Sequence, residues 1–356
     1  MKIRSIYKIQ SAVWRLLNVY VAAMIMSSCI ATDGRAAPVT FGVGVNQFSI
    51  DFVTIGDLGN IPDTTGAPNP GGSVGYRYGI AKFEISEQMI NKYNANFGSA
   101  NGLVITKHSR GPDKPATGVN WNATARFVNW LNTSKGFAPA YKFTTSGVND
   151  NLTLWTSADA GYDATNPYRN RLAKYVLPNL NEWYKAAYYN PKTATYYNYP
   201  TGSDTHPTSV VSGTAPGTAV FNQSGPADVD KAGGLSPYGV MGLGGNVFEW
   251  QETSASGLNN NPTTPRVFRG GAYEKFNPAL NYDSLAAGVA HADGGPSGYS
   301  GHSIGFRVVT FDSASYEAVP EPSMLMIGAL LGVGGLIINS RRKKQNRSLV
   351  LDLFDR

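Results

Sequence analysis

Residues 236–250, SPYGVMGLGGNVFEW, carry the side chains best placed to do chemistry, an amide and a carboxylate among glycines and large aromatic rings. Gly242, Gly244 and Gly245 let the backbone double back where a Cβ would clash. Asn246 follows at once, and Glu249 sits between Phe248 and Trp250 in an apolar, β-prone run. A carboxylate in such surroundings needs a partner. Two readings stay open. Asn246 and Glu249, with carbonyls freed by the irregular backbone, form the all-oxygen set that a hard cation such as calcium prefers; alternatively, Glu249 is satisfied by backbone amides or an arginine.

A second group lies further along. His291, Asp293 and His302 match, superficially, a two-histidine, one-carboxylate iron site. The interval to His302 is short for that chemistry, and an exposed Gly/Ser loop accounts for the same residues. Tyr273, Phe276, Tyr282, His291, Tyr299 and His302 also combine ring faces with hydrogen-bonding edges, which suits sugar rings or exposed peptide. The candidate ligand contacts are therefore Tyr273, Tyr282, His291, Asp293, Tyr299 and His302, against the alternative that several of the rings pack beneath the loop. His108 and His206 complete the histidines, and the single cysteine, Cys29, excludes an intrachain disulfide framework or a thiolate metal cluster.

The elements that must position these groups read as short and mixed. Residues 48–54 and 75–85 are β-prone runs separated by a Gly/Pro/Asp/Thr loop. Ser86 predicts a helix cap, with Met89, Ile90, Tyr93 and Phe97 on one face. Residues 122–132 repeat that pattern, with Ala123, Phe127, Trp130 and Leu131 inward. Asn179 and Glu182 form a capping box opening a helix through Leu180, Trp183, Tyr184 and Ala187, which Pro191 stops. Residues 193–234 show little periodicity and predict long ordered loops. The expected class is α+β, with short antiparallel strands, a few helices and much irregular loop.

The chain has 356 residues and a net charge of +6, enough length for a sizeable core. The charge is not a nucleic-acid footprint. Residues 1–37 carry Lys2, Arg4, Lys8, Arg15 and Arg35 against Asp33, and residues 340–356 carry six basic groups against Asp352 and Asp355. The stretch between is mildly acidic, so no polyphosphate partner is indicated.

Five stretches, in order, resemble the formylglycine-generating enzyme (sulfatase-modifying factor) family. They are residues 118–130 (GVNWNATARFVNW), 177–184 (LPNLNEWY), 236–250, 266–273 (RVFRGGAY) and 305–308 (GFRV), the third being similar to the family signature SPYGLYDMGGNVWEW. The resemblance spans about residues 52–310 and implies a C-type-lectin-like fold, a twisted antiparallel sheet flanked by two principal helices. It implies structural calcium held by Asn246, Val247 and Glu249, with Asn222 at a second calcium position. Catalytic relatives bind copper through two cysteines five positions apart, as soft thiolates must. Those positions fall on Leu280 and Leu285, and a family arginine position falls on Gly288. The resemblance therefore implies no copper and no formylglycine generation, and a binding or structural module. A metal-dependent oxidoreductase of non-heme iron type is the alternative.

Both ends read as export devices. Residues 1–37 form a secretory signal, with basic residues, an apolar run at 16–26 and small residues. Cleavage after Ala31 or Ala37 remains open, and MSSC at 26–29 is loosely similar to a lipoprotein box ending in Cys29. The domain expected is 38–318. Residues 319–345 run VPEPS, an apolar stretch at 324–338, then Arg341, Arg342, Lys343 and Lys344. That order resembles the PEP-CTERM sorting signal read by an exosortase-type protease, with a short spanning helix whose basic flank keeps the 346–356 tail cytoplasmic. The partners implied are the secretion machinery, the exosortase, the membrane and extracellular polysaccharide. The expected location is the cell envelope, anchored or released to the matrix.

Overall fold

Strand β10 (Phe248–Ser254) follows directly on the glycine-rich turn and is buried along most of its length. It pairs antiparallel with β11 (Arg266–Arg269), placing Glu249 opposite Arg269 and Trp250 opposite Phe268, with a register shift between Trp250 and Ser254. Its other edge pairs in parallel with β12 (Ile304–Gly305), where Phe248 meets Ile304 and Glu249 meets Gly305. The computed structural model describes residues 37–144, 147–148, 150, 152–274 and 298–311. The signal segment with Cys29, the sorting segment and tail, and the loop carrying Phe276, Leu280, Tyr282, Leu285, Gly288, His291 and Asp293 lie outside the described residues.

A four-stranded antiparallel sheet stands beside this unit, in the order β3 (Phe52–Ile55), β4 (Tyr78–Ala81), β13 (Val309–Thr310) and β5 (Tyr175–Val176). A hairpin of β1 (Val39–Phe41) and β2 (Phe48–Ile50) precedes it. The loop-rich stretch is tied down by two small ladders, β6 (Tyr189–Asn190) with β7 (Thr195–Tyr196), and β8 (Thr208–Ser209) with β9 (Thr218–Ala219). The expectation of antiparallel pairing needs a correction here. The β10–β12 and β8–β9 pairs are parallel, because β12 returns to β10 through a long excursion and not a tight turn, which leaves direction free.

The three α-helices begin where side chains can satisfy their first N–H groups. Ser86 accepts from Met89 N at the start of α1 (Glu87–Tyr93), and Asn120 accepts from Ala123 N at the start of α2 (Trp121–Thr133). Asn179 and Glu182 form the reciprocal capping box of α3 (Leu180–Tyr188). Helix α1 widens into a π-helical turn over Asn94–Gly98, so Phe97 is only half-buried on the expected face. Helix α2 buries Ala123, Phe127, Trp130 and Leu131 as its pattern requires. The Trp130 ring meets Phe41, Phe48, Tyr93 and Phe127, joining the hairpin to both helices. Among the described residues no helix is long and apolar enough to cross a membrane.

Candidate functional site

Beyond β11, Gly270 and Gly271 take positive φ values of 106° and 75° and turn the chain into Tyr273 and Glu274, where the candidate loop departs. The chain returns at Gly298 and runs through Tyr299 and His302 into β12. The two stems are fixed firmly. Tyr273 N donates to Asn246 O at 2.8 Å, Gln223 N donates to Tyr273 O at 2.7 Å, and Asn222 N donates to Glu274 O at 3.2 Å. The Tyr273 ring is 5% exposed and packs with Val220, Ala227 and Val247. The ring is thus buried among apolar neighbours, while its hydroxyl meets the polar groups.

Those groups come from a distant part of the chain. Arg110 donates to the Tyr273 hydroxyl at 3.1 Å and to His302 O at 3.0 Å, reaches Thr117 Oγ1, and lies over the Tyr273 ring. Glu87 fixes this segment by accepting from Arg110 N at 2.8 Å and from Lys107 Nζ at 3.0 Å. The Glu274 carboxylate touches His302 Nε2, and these two side chains are 41% and 63% exposed. Tyr299, on the returning stem, is half exposed. Burial, then the Arg110 cation, hold His108 below the usual imidazole range, so it stays neutral near pH 7. The result is a polar rim with a fixed arginine beneath and a histidine–carboxylate pair outside. It can hydrogen-bond a polyhydroxylated or peptide ligand.

Of the expected contacts, Tyr273, Tyr299 and His302 sit at the two stems, whereas Tyr282, His291 and Asp293 lie outside the described residues. Arg110, Thr117 and Glu274 were not singled out by sequence, and His108 was noted only among the histidines. No spacing links residues 108–117 to 273–302, since only the fold joins them. One local signal existed in Glu274, which directly follows the expected Tyr273.

Behind the stems lies a buried ionic knot. Arg307 gives Nη2 to Glu249 Oε1 at 2.5 Å and Nε to Glu249 Oε2 at 2.6 Å, and Trp183 Nε1 adds a bond at 2.7 Å. Arg307 also donates to the carbonyls of Ala81 and Met241. Asn246, at φ 59°, accepts from Ala227 N at 2.8 Å and donates to Glu84 Oε1 at 2.9 Å. Glu84 Oε2 is buried with no hydrogen-bond partner. Burial, with Glu249 nearby, pushes the Glu84 carboxyl up to about 8 against the pull of Arg307.

At Asn246, Val247 and Glu249, the calcium positions the resemblance implies, the side chains bond within the protein. Both side-chain heteroatoms of Asn246 are committed, Glu249 is satisfied by an arginine and an indole, and Val247 faces the small apolar cluster with Val220. Where the family signature has an acidic residue this chain has Gly242, and a Cβ there would stand 2.5 Å from Glu84 Oε1. A guanidinium thus neutralises the carboxylate that a cation would need. Asn222 has a φ of 59° and lies beside the loop stem, apart from that knot. Among the described residues no group of three His, Cys, Asp or Glu side chains could hold a metal.

Comparison with known proteins bears on the fold. A solved structure titled CarF is similar over 74% of this chain and 99% of its own, at 21% identity and a TM-score of 0.51. Treponema denticola variable protein 1 is 18% identical, covering 77% of this chain and 99% of that one, with a TM-score of 0.49. PvdO from Pseudomonas aeruginosa is 15% identical over 77% of this chain and 99% of its own, with a TM-score of 0.38. No curated protein matches the sequence. The profile of the sulfatase-modifying factor enzyme 1-like domain, the formylglycine-generating enzyme family, matches residues 47–311, which includes both loop stems, the Arg110 segment and the whole buried knot. The chain belongs to that family.

Proposed function

We propose that this chain is an exported surface protein whose sulfatase-modifying-factor-like domain binds a ligand at the Tyr273–His302 rim and does not generate formylglycine. Extracellular, carbohydrate-rich matrix is the ligand class. The observation that carries the reading is the joining of Arg110, Tyr273, Glu274 and His302 into a hydrogen-bonding rim around the stems of the loop. The exposed pair, Glu274 and His302, suits sugar hydroxyls, with Tyr299 as a ring to stack on.

The absence of cysteine from residues 30–356 supports the second half of the reading, since copper(I) chemistry of the family type needs two thiolates. A non-heme iron oxidoreductase is disfavoured because the Nε2 of His302 is engaged by Glu274. The leader and the VPEPS-to-Arg341 segment support delivery to the envelope, sorting by an exosortase-type protease and retention through the apolar stretch or release to the matrix.

The test is binding of the full-length protein to purified bacterial exopolysaccharide by surface plasmon resonance, with Glu274→Ala and His302→Ala variants. Saturable binding that weakens at least about tenfold in the double variant, equivalent to about 1.4 kcal/mol, is expected, at unchanged melting temperature. Binding indifferent to both substitutions would remove the site.

A further inference from the structure

Six oxidisable rings form an unbroken series from the interior to the surface. Trp183 meets Tyr188 at 5.9 Å, Tyr188 meets Tyr184 at 4.8 Å, and Tyr184 meets Tyr196 at 5.7 Å. Tyr196 meets Tyr189 at 5.1 Å, and Tyr189 stacks on Tyr238 at 6.3 Å. Trp183 is fully buried, and its ring lies 3.1 Å from where a Cβ of Gly270 would stand, at the foot of the loop stem. Tyr238 is only partly buried.

Ring packing alone would not distinguish this series from an aromatic core. The hydrogen bonds do. Tyr238 Oη donates to Asp57 Oδ2, Tyr184 Oη donates to Asp63 Oδ2, and Trp183 Nε1 donates to Glu249 Oε2, each at 2.7 Å. Every second or third ring thus donates to a carboxylate. That matters because losing an electron from a phenol or indole is far easier when the acidified proton has a base to receive it. Burial and the neighbouring carboxylates raise the Tyr184 and Tyr238 phenols above their ordinary range, so neither ring is ionised beforehand and proton and electron must leave together.

We propose that Trp183, Tyr188, Tyr184, Tyr196, Tyr189 and Tyr238 form a conduit for single oxidising equivalents between the foot of the candidate site and the surface, with Asp57 and Asp63 as proton acceptors and the Glu249 carboxylate steadying the Trp183 end. An outer-sphere one-electron oxidant takes an electron from Tyr238 while its phenolic proton passes to Asp57, leaving a neutral phenoxyl and a protonated carboxyl. Tyr184 then supplies an electron through Tyr196 and Tyr189 and gives its proton to Asp63. Tyr238 recovers that electron together with the proton held on Asp57. Trp183 then supplies an electron to Tyr184 through Tyr188, leaving an indole radical cation held by its hydrogen bond to the Glu249 carboxylate, and Tyr184 recovers that electron with the proton held on Asp63.

The experiment is photo-oxidation of the full-length protein with tris(bipyridyl)ruthenium and persulfate, which generates a one-electron oxidant in solution, followed by peptide mapping of tryptophan oxidation. Trp183 should be oxidised although it is buried, whereas Trp250, equally buried and packed against Phe268, should be spared. Tyr196→Phe keeps the ring but breaks the relay, and Asp57→Asn keeps the side-chain shape but removes the outermost proton acceptor. Both should lower Trp183 oxidation severalfold, with circular dichroism unchanged. Equal protection of Trp183 and Trp250 in the wild type, or Trp183 oxidation unaltered by Tyr196→Phe, would overturn the conduit.

Discussion

Glu84 and Glu249 share one guanidinium, that of Arg307, in a site closed to water. Glu249 takes both arms of the fork, and Glu84 keeps one oxygen without a partner. The carboxyl of Glu84 is raised to about 8, so in the folded state it holds a proton that the unfolded chain releases near 4.5. Its contribution to stability is complete below 4.5, falls as pH rises, and is lost once pH passes about 8. Glu84→Gln mimics the protonated form. The variant is expected to gain on the wild type between those limits, by up to about 1 kcal/mol per pH unit, measured as urea midpoints across a pH series. Arg307→Ala tests the same knot from the other side. It strands a buried carboxylate and should cost about 3–5 kcal/mol, read from the same denaturation curves.

The helices show how local features carry their own instructions. Asn120 caps α2 by accepting from Ala123 N, so Asn120→Ala should cost about 1 kcal/mol of stability in urea denaturation. Ser86, Asn179 and Glu182 were legible as caps because a cap is written within four residues. The inward faces of α2 and α3 were legible because helical spacing repeats within the element. The parallel pairing of β12 on β10 was not, since it depends on a partner more than fifty residues away. The same distance hid the candidate site. Tyr273, Tyr299 and His302 stood out as residue types in one stretch, but Arg110 reaches them across 163 and 192 positions. Glu249 was legible as a carboxylate in need of a partner, and an arginine was one of its two readings. Which arginine it would be was decided by the parallel β10–β12 pair, which sets Gly305 opposite Glu249, two residues before Arg307.

At the scale of the whole molecule, the family's fold is kept, and the proposal is that it serves binding and not copper chemistry. The ordered motifs survive, from the α2 segment to β12, because they form the buried scaffold: the glycine turn, the Glu249–Arg307 knot and the caps. The family's cysteine positions, by the resemblance, fall on Leu280 and Leu285, outside the described residues. The claim that joins these observations is that the scaffold works here without the family's metal. Elemental mass spectrometry of the full-length protein, purified without added metals, tests it most directly. The account predicts less than a tenth of an equivalent of copper or iron, about the trace level of adventitious metal for a chain without thiolate ligands. One equivalent of either metal per chain would contradict it.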